Sequence, residues 1–108
     1  MGGRQSYLGE FEQVVLLAVA RLKAEAYGMA VRTEIAERTG REVTIGAMYA
    51  TLDRLVAKGY LRARDEASEG RPRRFFAITT TGVEALEAAR ELQTRMWAGV
   101  RLPKGGSR

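Results

Sequence analysis

Between Val43 and Gly82 a helical pattern runs straight into a strand pattern, and no other stretch of the chain narrows the possible folds as much. Met48, Leu52, Leu55 and Val56 recur at helical spacing, which predicts one buried face on a helix from about Ile45 to Lys58. Thr44 offers an N-cap hydroxyl in front of that helix, and Gly59 closes it. Leu61 and Ala63 then alternate with Tyr60, Arg62 and Arg64, the period of two of a half-buried strand. Arg73 to Ile78 reads as its partner strand, joined to it by a polar loop from Asp65 to Pro72. Gly70 permits the turn and Pro72 stiffens the return.

The flanks extend the pattern. Phe11, Val14, Val15, Ala18 and Leu22 predict one face of a first helix from about Gly9 to Lys23, and Leu16, Leu17 and Val19 make its opposite side apolar too. A helix apolar nearly all round has to be covered on both sides, by the core or by a second subunit, and the small chain favours the subunit. Tyr27-Gly28 interrupts the pattern. A second helix follows from about Met29 to Arg38, burying Val31 and Ile35 and ending at Gly40, a residue suited to the left-handed position past a helix end. After the strands, Thr81 with Glu84 fits a capping box, with Thr79 and Thr80 as rival caps. The last helix presents Val83, Leu86, Ala89, Leu92, Met96, Trp97 and Val100 along one side.

The expected fold class is therefore mainly α, a winged helix-turn-helix in the order α-α-α-β-β-α with a C-terminal dimerisation helix. Residues 1–7 and 102–108 read as flexible polar ends, 8–80 as the winged helix-turn-helix, and 81–101 as the dimerisation helix.

Composition bounds the chemistry. Lys and Arg total 18 against 13 Asp and Glu, a net charge of +5 that favours a polyanionic partner. The chain has no cysteine, which excludes disulfides, thiolate metal sites and a cysteine nucleophile. It also has no histidine, the commonest general base and transition-metal ligand. Glu66 and Glu69 are an ordinary loop pair rather than a recognisable catalytic site. No enzyme activity, catalytic residue, cofactor or metal is expected. The run Val14 to Ala20 is far shorter than the ~20 apolar residues of a membrane-spanning helix, and the start of the chain lacks the apolar core of a secretory signal. A cytoplasmic protein without a membrane partner is the expectation.

In a helix-turn-helix the second helix enters the major groove by its N-terminal end. Ile45, Gly46, Ala47, Tyr49 and Ala50 face outward near that end, with Arg54 one turn on. Gly46 and Ala47 allow close approach of the backbone, and the helix N-terminus favours a phosphate. Tyr49 can donate its hydroxyl to a phosphate oxygen, or be a half-buried aromatic with a wet tip. Arg71, Arg73 and Arg74 at the hairpin can enter the minor groove or bracket phosphates, or form a solvated loop whose charge Asp65, Glu66 and Glu69 dilute. Met96 and Trp97 suit a packed interface, or an aromatic platform at a dimer seam where a small apolar ligand binds.

The chain resembles the PadR-like winged-helix transcriptional regulators over roughly Leu8 to Leu92. The matching pieces are Leu8-Gly9-Glu10-Phe11, Tyr27-Gly28, Gly46 through Met48-Tyr49, Leu52-Asp53-Arg54-Leu55, Lys58-Gly59-Tyr60-Leu61, Gly70-Arg71-Pro72-Arg73 and Ile78-Thr79 with Gly82. The resemblance implies a homodimer on a palindromic operator of double-stranded DNA, acting as a repressor, released in some members by a small aromatic or drug-like effector. The single helix after the wing looks like the family's short-tail type. Carried over by position, DNA contacts fall on Thr44, Gly46, Tyr49 and Arg54 and on the wing residues Arg71 and Arg73, beside which Arg74 is placed. The dimer seam would take Phe11, Val15, Leu86, Leu92, Met96 and Trp97, with an effector near Phe11, Met96 and Trp97. Ala47 stands where the family often has a hydroxyl residue, and Met29 where it often has an aromatic one. The rival reading is a winged-helix protein–protein interaction module without sequence-specific DNA binding, since a fold does not fix a function.

Overall fold

The computed structural model describes residues 7–103. Most of the two ends expected to be flexible lies outside the described residues. Helix α1 spans Glu10–Leu22, a single 3-10 turn follows at Lys23–Glu25, and α2 spans Gly28–Thr39. Helix α3 spans Ile45–Ala57, strands β1 and β2 span Leu61–Ser68 and Arg71–Ile78, and α4 spans Thr80–Trp97. This is the mainly helical winged helix-turn-helix order anticipated from the sequence.

Local chemistry sets the boundaries. Glu12 reaches back from the first turn of α1 to accept the Gly9 N–H at 2.9 Å, so an otherwise orphan donor is satisfied. Helix α2 ends at Gly40, whose φ of 74° is the left-handed geometry expected of it. The Thr44 hydroxyl caps α3 by accepting the Ala47 N–H at 3.1 Å. At α4 the cap is Thr79, not Thr81. Its Oγ1 accepts the Gly82 N–H at 3.0 Å and donates to the Gly59 carbonyl at 2.7 Å.

The three N-terminal helices and the root of the hairpin share one core. Val15, Leu16, Ala18 and Val19 of α1 meet Val31 and Ile35 of α2, Met48, Leu52 and Leu55 of α3, Leu61 of β1 and Phe76 of β2. Two expectations change here. Leu16 and Val19 belong to the same broad buried arc as Val15 rather than to an opposite face, and only Leu17 stays half-exposed. Val15, expected at a dimer seam, has 0% of its surface exposed in a single chain and so has nothing to offer a partner.

The hairpin is also longer than the pattern implied. Asp65 to Ser68 and Arg71-Pro72, expected as loop, are paired strand, and the turn shrinks to Glu69-Gly70. Both turn residues have positive φ, 53° and 76°, as a two-residue type I′ connection requires. The extension is held by backbone pairing and by opposite charges set across the ladder, Asp65 against Arg74 and Glu66 against Arg73. Both of its faces are wet, so it leaves no hydrophobic alternation to read. At its root the hairpin is pinned to the body, where the Phe76 N–H donates to the Ala26 carbonyl at 2.8 Å and Tyr27 bridges Phe75.

Helix α4 starts against the core through Ala85 and Leu86 and then leaves it, with every residue from Glu91 to Pro103 exposed. The radius of gyration is 16.3 Å, against roughly 13 Å for a compact domain of this length. The projecting helix and the long wing account for the difference.

Candidate nucleic-acid interface

Helices α2 and α3 form the helix-turn-helix, and the turn between them is tied down from both sides. Arg32 of α2 donates its Nε–H to the Val43 carbonyl. Arg41 forms a two-point ion pair with Glu10 of α1, 3.1 and 2.8 Å, and lays its guanidinium over the Phe11 ring at 5.8 Å.

Advancing ~100° per residue round α3 sets the exposed Gly46, Ala50, Asp53 and Ala57 opposite the buried Met48, Thr51, Leu52 and Leu55. Ile45 and Tyr49 flank that line on one side, and Ala47, Arg54 and Lys58 on the other. The outward line is thus small residues with a single carboxylate, narrow enough for the backbone to approach a groove wall. Tyr49 lies across the first turn of α2. A Cβ at Gly28 would overlap its ring and hydroxyl, so the glycine makes room for the tyrosine.

Arg54 does not stand free at the helix surface. Its Nε–H donates to Glu12 Oε2 at 3.2 Å and its Nη2 to the Thr51 hydroxyl at 3.3 Å. Lys58 donates to the same Glu12 oxygen at 2.9 Å. Burial pushes the Glu12 carboxyl up, but the Gly9 N–H, Lys58 and Arg54 together outweigh it and hold the group below its ordinary range. The carboxylate is therefore ionised at neutral pH and locks α1 to α3.

The ladder register sorts the arginines of the wing. Arg62, Arg64, Arg71 and Arg73 share one face with Phe75, while Arg74 lies on the other, opposite Asp65 and 5.9 Å from the Phe76 ring. The expected group of Arg71, Arg73 and Arg74 is thus divided between two faces. On the first face the rings and cations interleave. Arg64 sits 4.9 Å above Phe75, Phe75 meets Tyr27 edge-on at 5.6 Å, and Arg73 covers Tyr27 at 4.2 Å. Stacking holds a guanidinium by its plane and leaves its N–H edges to an anion. Arg64 also pairs with Glu66 at 3.1 Å. Sequence reading did not single out Glu12, and it named Arg64 only as one of the hairpin cations and Tyr27 only as part of Tyr27-Gly28, with no stacking role for either. Tyr27 carried one local signal, an aromatic placed directly before a helix-opening glycine.

The proposed seam residues are only partly together. Phe11 and Leu86 are partly buried against the core, whereas Leu92, Met96 and Trp97 are 47%, 68% and 56% exposed along the free part of α4. An open groove of about 670 Å³ runs between α4 and the start of the described chain, lined by Tyr7, Leu8, Tyr60, Ala85, Ala88 and Leu92 among others. Phe11, Met96 and Trp97, expected beside an effector at the dimer seam, do not line it. Among the described residues no acidic cluster suits a metal ion, and no helix is long and apolar enough to cross a membrane.

The family described as "Transcriptional regulator PadR-like family" matches residues 16–88. A complex structure of hsRosR-S1 is 30% identical with a TM-score of 0.68, over 86% of this chain and 79% of that one. A PadR family transcription regulator from hypervirulent Clostridium difficile superposes with a TM-score of 0.69 at 20% identity, over 82% of this chain and 92% of that one. A PadR-like transcriptional regulator from Bacillus cereus gives 0.69 at 24% identity, over 82% and 84%. At those lower identities the likeness establishes the fold. No curated protein sequence matches the chain.

Proposed function

Because this chain belongs to the PadR-like family of transcriptional regulators, we propose that it is a homodimeric repressor that binds a palindromic operator. The observation that carries the reading is the pairing of an accessible, small-residue helix face on α3 with an arginine-bearing wing fixed to the same body. Thr44, Gly46 and Tyr49 are placed to meet the duplex at the first turns of α3, where N–H groups and the helix dipole favour a phosphate. Tyr49 supplies a positioning contact rather than a base-reading one. Arg71 and Arg73 on one wing face, and Arg74 on the other, bracket phosphates on either side of a groove.

Dimerisation rests on α4. Leu92, Met96 and Trp97 are about half-exposed or more on the part of α4 that has left its own core, and Val100, expected on the same helix, lies just past its end and is equally exposed. A second copy laid along the stripe would remove that surface from water, and burying such side chains fully is worth about 1.5–3 kcal/mol each. Acting on DNA, the protein would work in the cytoplasm. An effector of small, apolar and aromatic character would sit at this seam beside Trp97 and Met96, changing the spacing of the two α3 helices by favouring one arrangement.

Selection of bound duplexes from a random pool tests the reading. The expected product is an inverted repeat with half-sites about 34 Å apart, one DNA turn, or a multiple of it. Enrichment of no sequence, or of a single unrepeated half-site, would contradict it. Trp97 is the sole tryptophan, so its emission reports the effector directly, and no change across a panel of planar aromatics would remove that part.

A further inference from the structure

We propose that Glu12 is an internal counter-ion that withholds Arg54 and Lys58 from the DNA backbone, and so determines specificity by suppressing sequence-independent binding. The inference rests on the DNA-binding reading above. Helix α3 contains one cation, Arg54, and the residue that caps its C-terminal end is a second, Lys58. Both point to one oxygen of a carboxylate on a different helix, 42 and 46 residues away in the chain.

Both oxygens of Glu12 are engaged, and the side chain has little freedom. Its other oxygen accepts the Gly9 N–H, and its side chain is 11% exposed. The cations are more accessible, 50% exposed for Arg54 and 29% for Lys58. They line the flank of α3 away from Tyr49, beside the outward face, where a duplex backbone would pass. The single carboxylate offsets one of their two positive charges and engages a donor of each, drawing both away from the phosphate contacts that make all DNA attractive. The residual attraction is left to the wing arginines, whose position is fixed by the hairpin. Glu12 is thus a positioning residue for the recognition helix with an electrostatic consequence that a packing contact would not have.

The test is the salt dependence of binding to a random-sequence duplex, compared with the selected operator, for wild type, Glu12→Gln, Arg54→Ala/Lys58→Ala and the triple variant. Each freed cation that finds a phosphate adds about 0.9 to the slope of log K against log salt. Glu12→Gln should therefore bind random DNA more tightly at low salt and lose roughly tenfold more affinity than wild type between about 50 and 200 mM salt. Its preference for operator over random DNA should fall. The triple variant should return to the wild-type slope, and Arg54→Ala/Lys58→Ala alone should leave that slope unchanged. If Arg54→Ala/Lys58→Ala flattens the slope, both cations already contact phosphates and the inference is wrong. It is equally wrong if folded Glu12→Gln keeps the wild-type slope. Should Glu12→Gln fail to fold, the cation variant decides alone. Wild-type protein that binds no duplex at any salt would instead sink the DNA-binding reading, a result distinct from either.

Discussion

Met96→Asp/Trp97→Asp is expected to convert the protein to a monomer and to lower operator affinity by at least about a hundredfold. Both side chains are more exposed than buried in the single chain, at 68% and 56%, and neither belongs to the core. The protomer should therefore keep its fold while the seam is lost. Two carboxylates per chain placed against their symmetry mates would have to be desolvated without partners, which costs far more than the apolar contact contributed. The loss in affinity follows from geometry, because each helix-turn-helix would then bind its half-site without the second one tethered nearby. Sedimentation velocity and operator titration on the same sample check it. A double variant that still sediments as a dimer would move the seam elsewhere, and one that is monomeric yet binds as tightly would contradict the dimeric operator.

Gly82→Ala is expected to destabilise the fold by about 2–3 kcal/mol, lowering the melting temperature by roughly 10–20 °C for a domain of this size. The glycine is buried in the first turn of α4, against the chain where α3 passes into β1. A Cβ there would collide with the Tyr60 carbonyl oxygen and lie 2.8 Å from Ile78 Cγ1 and 3.2 Å from the Tyr60 carbonyl carbon. The carbonyl cannot swing aside freely, since it accepts the Thr79 N–H at 3.0 Å in the α4 cap. Helix α4 would have to lift off the body, disturbing both the cap and the direction of the projecting stripe. Gly28 makes the contrast. The three atoms nearest an added Cβ there all belong to the Tyr49 side chain, which is partly exposed and can rotate away. A thermal melt of Gly82→Ala matching wild type would show that the α4 junction is looser than its geometry implies.

What the sequence made legible was local. Helix periods, the Thr44 cap and the Gly40 terminus depend on neighbours within a turn or two, and those are the features that hold in the structure. The choice between Thr79 and Thr81 was not local, because it is settled by Thr79 also donating to the Gly59 carbonyl across the junction. The outer half of the hairpin escaped notice because strand patterns reveal a buried face and this segment has none. Dividing Arg74 from Arg71 and Arg73 needed the register, since shifting the pairing by one residue exchanges the faces. Val15 was misplaced because an apolar stripe does not say whether its cover is the chain's own core. The tie of Glu12 to Arg54 and Lys58 joins residues that no sequence spacing relates, as does the seating of Tyr49 on Gly28.

The proposed activity is DNA binding through α3 and a wing whose arginines carry the phosphate contacts. Operator titration by fluorescence anisotropy over a range of salt, for wild type and Arg71→Ala/Arg73→Ala, tests it most directly. Arg71 is exposed and Arg73 is stacked on Tyr27 by its plane, so removing both should leave a folded protein. The expected result is weaker binding with a salt slope reduced by about 1.8, two phosphate contacts at about 0.9 each. An unchanged affinity and an unchanged slope would contradict the account, since the wing would then play no part in holding DNA.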